Sequence, residues 1–109
     1  GLYIVSMPFQ GGATLEDLLE VAFPKQGSGS PPIYGATILE AARRNLGVTM
    51  PQGAWGYPDP FLKRCSYTDG IVWLAQRMTS ALIAVHKAGY VHHDLKPSNV
   101  LLGADGWPR

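Results

Sequence analysis

Tyr90-Val91-His92-His93-Asp94-Leu95-Lys96-Pro97-Ser98-Asn99-Val100-Leu101-Leu102 runs from the end of an amphipathic segment into a short apolar one. It carries a carboxylate at Asp94, an ammonium at Lys96 and a carboxamide at Asn99. Any one of these alone reads as a polar turn residue after a helix. Taken together, two and five positions on from the aspartate, they can surround one point in space. Val100-Leu101-Leu102 has the character of a short buried strand. Gly103-Ala104-Asp105-Gly106 is a turn, and Trp107-Pro108-Arg109 begins the returning limb of a hairpin.

Upstream lies the strongest helix signal in the chain. Ile71, Leu74, Met78, Leu82 and Val85 recur at three- and four-residue steps, with Val72, Ala75 and Ala81 beside them. Gln76, Arg77, Ser80 and Lys87 fall on the other side. Ser66 or Thr68 caps the start, Asp69 suits its positive end, and Gly89 is placed for a left-handed stop. About 20 residues make a helix roughly 30 Å long. A stripe of that length needs a large partner surface, so a substantial apolar patch is expected on these residues alone.

The first part of the chain reads as a strand, a turn and a helix. Leu2–Phe9 is rich in strand formers, with Pro8 where no ladder N–H is needed. Gln10-Gly11-Gly12-Ala13 is a turn, and Thr14 caps a short helix over Leu15–Val21 with Asp17 in its first turn. From 24 to 66 the composition shifts. Gln26-Gly27-Ser28-Gly29-Ser30-Pro31-Pro32 is a connector, flexible and then stiff. Ala36–Leu46 forms about three helical turns ending at Gly47, with Ile38, Leu39, Ala42 and Leu46 on one side. Arg43-Arg44 is a solvated face. Trp55, Tyr57 and Phe61 pack locally, and His86 is a packed helix-end residue.

The 109 residues suffice for one small domain, and the formal charge of +1 offers no basic stripe for nucleic acid. The single cysteine, Cys65, has no internal disulfide partner and fits a reducing compartment. No apolar run approaches the roughly 20 residues of a membrane span. The chain opens on Gly1 in a strand-like run and stops at Arg109 without a terminating element. It is read as an internal piece of a longer protein.

In order and spacing, His92-His93-Asp94-Leu95-Lys96-Pro97-Ser98-Asn99 resembles the catalytic loop of the eukaryotic-like protein kinases, H-R-D-L-K-x-x-N followed by an apolar strand. Leu2–Leu18 resembles the same family's last small-lobe strand, hinge and first large-lobe helix. The likeness covers residues 2–23 and about 66–109, and its style is similar to the bacterial serine/threonine kinases. It implies an α+β fragment of the kinase fold, mainly the helical large lobe with the hinge strand and a short β-hairpin after the catalytic loop. On that reading 2–13 is the strand and hinge, 14–23 the first large-lobe helix, 24–66 an insertion, 67–89 the long helix, and 90–109 the catalytic loop and following strands.

The resemblance also implies roles. The reaction would be phosphoryl transfer from ATP, with Mg²⁺, to Ser or Thr hydroxyls of a protein substrate. Asp94 would be the catalytic base, Lys96 would contact the γ-phosphate, and Asn99 would ligate Mg²⁺. Ser6 would be the gatekeeper beside adenine, the Met7 carbonyl and the Phe9 N–H would meet the adenine ring, and Leu101 would form the apolar floor beneath it. His92 would brace the loop. The family's glycine-rich loop, strand lysine, helix glutamate and D-F-G aspartate lie outside these residues, so the segment alone is expected to be inactive and to need the remainder of the kinase domain. A cytoplasmic location is expected, with any membrane anchor elsewhere. Two other readings stay open: a pseudokinase that binds ATP or serves as a scaffold, and a small-molecule kinase of the aminoglycoside type.

His93 departs from the pattern, since many family members have arginine there to pair with a phosphate on the activation segment. Histidine is mostly neutral at pH 7 and lacks the guanidinium fork. The full-length protein is therefore expected to keep its activity after phosphatase treatment; loss of activity on that treatment would contradict this reading.

Overall fold

The computed structural model describes residues 1–2, 4, 12–25, 29–46 and 56–109. In order these hold β1 (Ala13–Thr14), α1 (Leu15–Ala22), α2 (Ala36–Arg43), α3 (Tyr67–Lys87), a 3₁₀ turn (Pro97–Asn99) and β2 (Leu101–Leu102). The strands pair antiparallel, Ala13 opposite Leu102 and Thr14 opposite Leu101. Leu102 is also bridged to Pro108, so the expected hairpin limb lies along the other edge of β2.

α1 and α3 start for local reasons. At α1 the Thr14 hydroxyl accepts from the Asp17 N–H at 3.3 Å, and the Asp17 carboxylate accepts from the Thr14 N–H at 2.7 Å. Two orphan donors are satisfied reciprocally, as in a capping box. That backbone bond, aided by the Thr14 hydroxyl and the Asn45 amide and opposed by burial, holds the Asp17 carboxyl below its usual range. At α3 Ser66 is the cap, its hydroxyl accepting from the Asp69 N–H at 3.1 Å. Gly89 ends the helix at φ +85°, in the left-handed region that favours glycine. α2 stops at Arg43, short of the expected Leu46, and the Asn45 side chain beyond it donates to the Gly12 carbonyl at 2.9 Å.

The core lies where α1, α2 and the first half of α3 meet β2. Leu18, Ile38, Leu62 and Leu102 are its fully buried large side chains. α2 supplies Ile38, Leu39, Ala41 and Ala42 to it, so part of the 24–66 stretch is integral to the packing. Its entry is tied to that of α3: Gly35 N–H donates to the Cys65 carbonyl at 3.0 Å, and Tyr67 N–H to the Ile33 carbonyl at 2.9 Å. The two helices then close tightly, since a Cβ on Gly70 would come within 2.7 Å of the Ile38 Cδ1.

α3 changes partners along its length. Tyr67, Gly70, Trp73 and Leu74 are buried, whereas Val72, Ile83 and Val85 are 52%, 49% and 38% exposed. Large apolar side chains are thus exposed at both ends of α3, Ile71 and Val72 early and Ile83 and Val85 late. Several side chains fall elsewhere than the periodicity implies. Arg77 is half-buried against indole rings instead of facing water, because a guanidinium is weakly hydrated and stacks on aromatic faces. Phe61 stacks on Trp73 of α3, Tyr57 is 90% exposed, and His86 is exposed. Arg43 and Arg44 are exposed, as expected of a solvated face, with Arg43 donating to the Ala104 carbonyl at 3.1 Å and Arg44 3.7 Å from Glu20. Trp55 lies outside the described residues. No described helix is long and apolar enough to cross a membrane.

Because α2 is part of the core, Ile38→Ala should lower the unfolding free energy of the full-length protein by about 2–5 kcal/mol. Glu40→Ala, exposed on the same helix, should change it by less than about 0.5 kcal/mol. Chemical denaturation followed by tryptophan fluorescence checks this. Equal, small effects would mean that α2 is dispensable to the core.

Candidate active site

The loop from Tyr90 to Asn99 is exposed at every residue. It has little packing of its own, so its shape comes from its ends and its internal hydrogen bonds. At the start, His93 sits at φ +62°, a left-handed conformation that is uncommon outside glycine. This bend brings the Asp94 N–H to the His92 Nδ1, at 3.3 Å. His92 thus braces the loop through a backbone contact.

Lys96 is extended, with φ −152° and ψ 160°. In extended chain, side chains two positions apart point to the same side, and Lys96 Nζ lies 3.7 Å from Asp94 Oδ1. Pro97 then opens the 3₁₀ turn, where its fixed φ fits and its missing N–H costs nothing. Asn99 N–H donates to the Lys96 carbonyl at 2.9 Å, closing that turn. The turn carries the Asn99 side chain back toward the aspartate. Its Nδ2 donates to the Asp94 backbone carbonyl at 3.0 Å and to Asp94 Oδ2 at 2.9 Å.

The three residues are therefore brought together around the Asp94 carboxylate. Lys96 and Asp94 side chains are 54% and 67% exposed, so their pairing adds little stability. Its consequence is geometric: a cation and an oriented carboxylate share one solvent-facing spot. With Nδ2 committed to Asp94, the Asn99 Oδ1 is left as an acceptor, a hard oxygen of the kind Mg²⁺ takes. Among the described residues no three His, Cys, Asp or Glu converge on one point.

The other assigned positions divide in two. Leu101 is half-buried in β2 and pairs with Thr14, which sets it beside the start of α1. Ser6, Met7 and Phe9 lie outside the described residues. Beneath the loop is a groove lined by Met78, Leu82, Val85, Leu95 and Val100. Its volume is ≈ 180 Å³.

The hairpin after the loop holds features that periodicity did not flag. Leu101 N–H donates to the Arg109 carbonyl at 2.9 Å, and Arg109 N–H donates to the Leu101 carbonyl at 2.8 Å. Asp105 takes both Arg109 Nη atoms, at 3.1 and 2.9 Å, and accepts from the Trp107 N–H at 3.0 Å. Burial opposes ionisation of Asp105, but those bonds outweigh it and hold its carboxyl below the ordinary range. The i,i+4 spacing of Asp105 and Arg109 across a turn was the available signal.

Comparison with known proteins gives a consistent set. The chain is 54% identical over 101 residues to the serine/threonine-protein kinase AfsK of Streptomyces griseus, covering 84% of this chain and 12% of that protein. It is 45% identical over 98 residues to the probable serine/threonine-protein kinase PkwA of Thermomonospora curvata, covering 84% of this chain and 13% of that protein. A stretch of 40 residues, 37% of the chain, is 50% identical to human serine/threonine-protein kinase 16. The chain thus spans 12–13% of the length of these relatives. No protein-family model and no solved structure matches it.

Proposed function

Since the chain is a segment of a serine/threonine protein kinase, we propose that within the full-length protein its Tyr90–Leu102 loop carries out transfer of the γ-phosphoryl group of ATP to a Ser or Thr hydroxyl of a protein. The observation that carries this reading is the convergence of Lys96 and Asn99 on the Asp94 carboxylate, at 3.7 and 2.9 Å.

The substrate hydroxyl oxygen forms a bond to the γ-phosphorus as the bond from that phosphorus to the β,γ-bridging oxygen breaks, and ADP leaves. Asp94, held by Asn99, orients the hydroxyl and accepts its proton. The Lys96 ammonium, close to the same spot, offsets charge on the moving phosphoryl oxygens. Asn99 Oδ1 would help to hold Mg²⁺, which would supply charge to offset that of the nucleotide phosphates. Such catalysis is mostly positioning and electrostatics, which an exposed loop can supply only if its geometry is fixed.

Leu101, with Ser6, Met7 and Phe9, is assigned to the adenine side of the site on family resemblance. In this reading the segment acts in the cytoplasm, where ATP is available, and requires the remainder of its domain.

Asp94→Asn in the full-length protein should lower transfer by about 10²–10⁴-fold, the usual range for losing a general base. ATP affinity should stay nearly unchanged. Phosphate incorporation and nucleotide titration check this together. Full activity in the mutant would remove Asp94 from the mechanism, and ATP binding without transfer in the unmutated protein would favour a scaffolding module.

A further inference from the structure

The loop that carries Asp94, Lys96 and Asn99 is exposed throughout, so besides its internal hydrogen bonds the relative placement of its two ends sets its shape. One end is α3. The other is β2, whose partner on its far edge is the return limb Trp107–Arg109. A link between α3 and that limb therefore clamps the loop across its base.

Such a link exists. Trp107 packs edge-on against Trp73 of α3, with ring centroids 5.2 Å apart and planes at 78°. The Arg77 guanidinium carbon lies 4.9 Å from the centroid of each ring. Its Nε is buried and has no hydrogen-bond partner among the described residues, so the two indole faces are the partners this cation has there. Trp73 is itself fixed from behind by Phe61, stacked at 6.4 Å and 24°. Gly103 N–H donates to the Trp107 carbonyl at 2.9 Å, carrying the restraint across the hairpin.

We propose that Arg77 is a positioning residue for the transfer reaction: lying over Trp73 and Trp107, it fixes the return limb to α3 and so sets the distance between the two ends of the catalytic loop. The catalytic arm of this proposal rests on the function argued above. The structural arm does not.

The test uses the full-length protein with Arg77→Met, which keeps an apolar stem without the charge, and with Trp107→Leu. The second variant removes the ring at a residue 39% exposed, where folding tolerates the change. Arg77→Lys is the rescue, since it keeps a cation over the rings but loses the planar fork. Hydrogen exchange at the backbone amides of Asn99, Leu101 and Gly103 should accelerate by about tenfold or more in the first two variants, with the α2 amides unchanged. In the same variants kcat should fall by about tenfold with KM for ATP within about twofold, because a displaced loop affects the reacting atoms more than nucleotide binding. Arg77→Lys should recover part of both losses.

Unchanged exchange at those amides in either variant overturns the proposal. So does faster exchange with kcat unchanged, which would leave Arg77 a purely structural contact. An unmutated protein that transfers no phosphate would overturn the proposed function instead, and the exchange comparison would still decide whether Arg77 holds the loop.

Discussion

Leu102 is fully buried and its strand is paired on both edges, with Ala13 on one side and Pro108 on the other. A two-residue strand has few hydrogen bonds to offer, so its position depends on being enclosed. β1 arrives from the start of α1, and the return limb arrives from the turn at Gly103–Gly106. That turn is held by Arg43 of α2 and by the Asp59 N–H, which donates to the Asp105 carbonyl at 2.9 Å. Gly106, at φ +91°, lies so close to Leu62 and Leu39 that a side chain there would be both strained and obstructed. The beginning, middle and end of the chain thus meet at one short strand, and the loop that precedes it inherits that placement.

The site itself contributes little to holding the protein together. Its charged pair is solvent-facing, and its hydrogen bonds are local to the loop. Reactive groups presented on a loop and located by a rigid scaffold are a common division of labour. Here the scaffold is asymmetric: the buried residues of α3, Tyr67, Gly70, Trp73 and Leu74, all lie in its first turns, although Ile71 and Val72 beside them are exposed. The cation over two indoles lies just beyond those first turns.

Local rules made much of this legible. Thr14 with Asp17, Ser66 as a cap, and Gly89 as a left-handed stop follow from backbone groups that must find partners, and the structure places all three as expected. The loop was legible because Asp94, Lys96 and Asn99 are a rare combination at a fixed spacing, and they do converge. Side chains whose partners are distant in sequence were not. Arg77 reads as polar on a helical wheel; the arrival of Trp107 from the hairpin gives its half-buried cation a second ring beside Trp73. Arg43 is exposed as it reads, but its bond to the Ala104 carbonyl joins residues far apart in sequence. α2 lies in the stretch read as an insertion, and the burial of its Ile38 and Ala42 could not be read from the Pro and Gly around it. The nucleotide-side assignments to Ser6, Met7 and Phe9 rest on family pattern, since those residues lie outside the described ones.

The most direct measurement is to incubate the purified full-length protein with ATP labelled in its γ-phosphate, Mg²⁺ and a set of generic protein substrates, then hydrolyse the products and identify the labelled amino acid. The account predicts label on phosphoserine or phosphothreonine. Folded, ATP-binding protein that leaves every protein substrate unlabelled, or that labels only a small molecule such as an aminoglycoside, would contradict it.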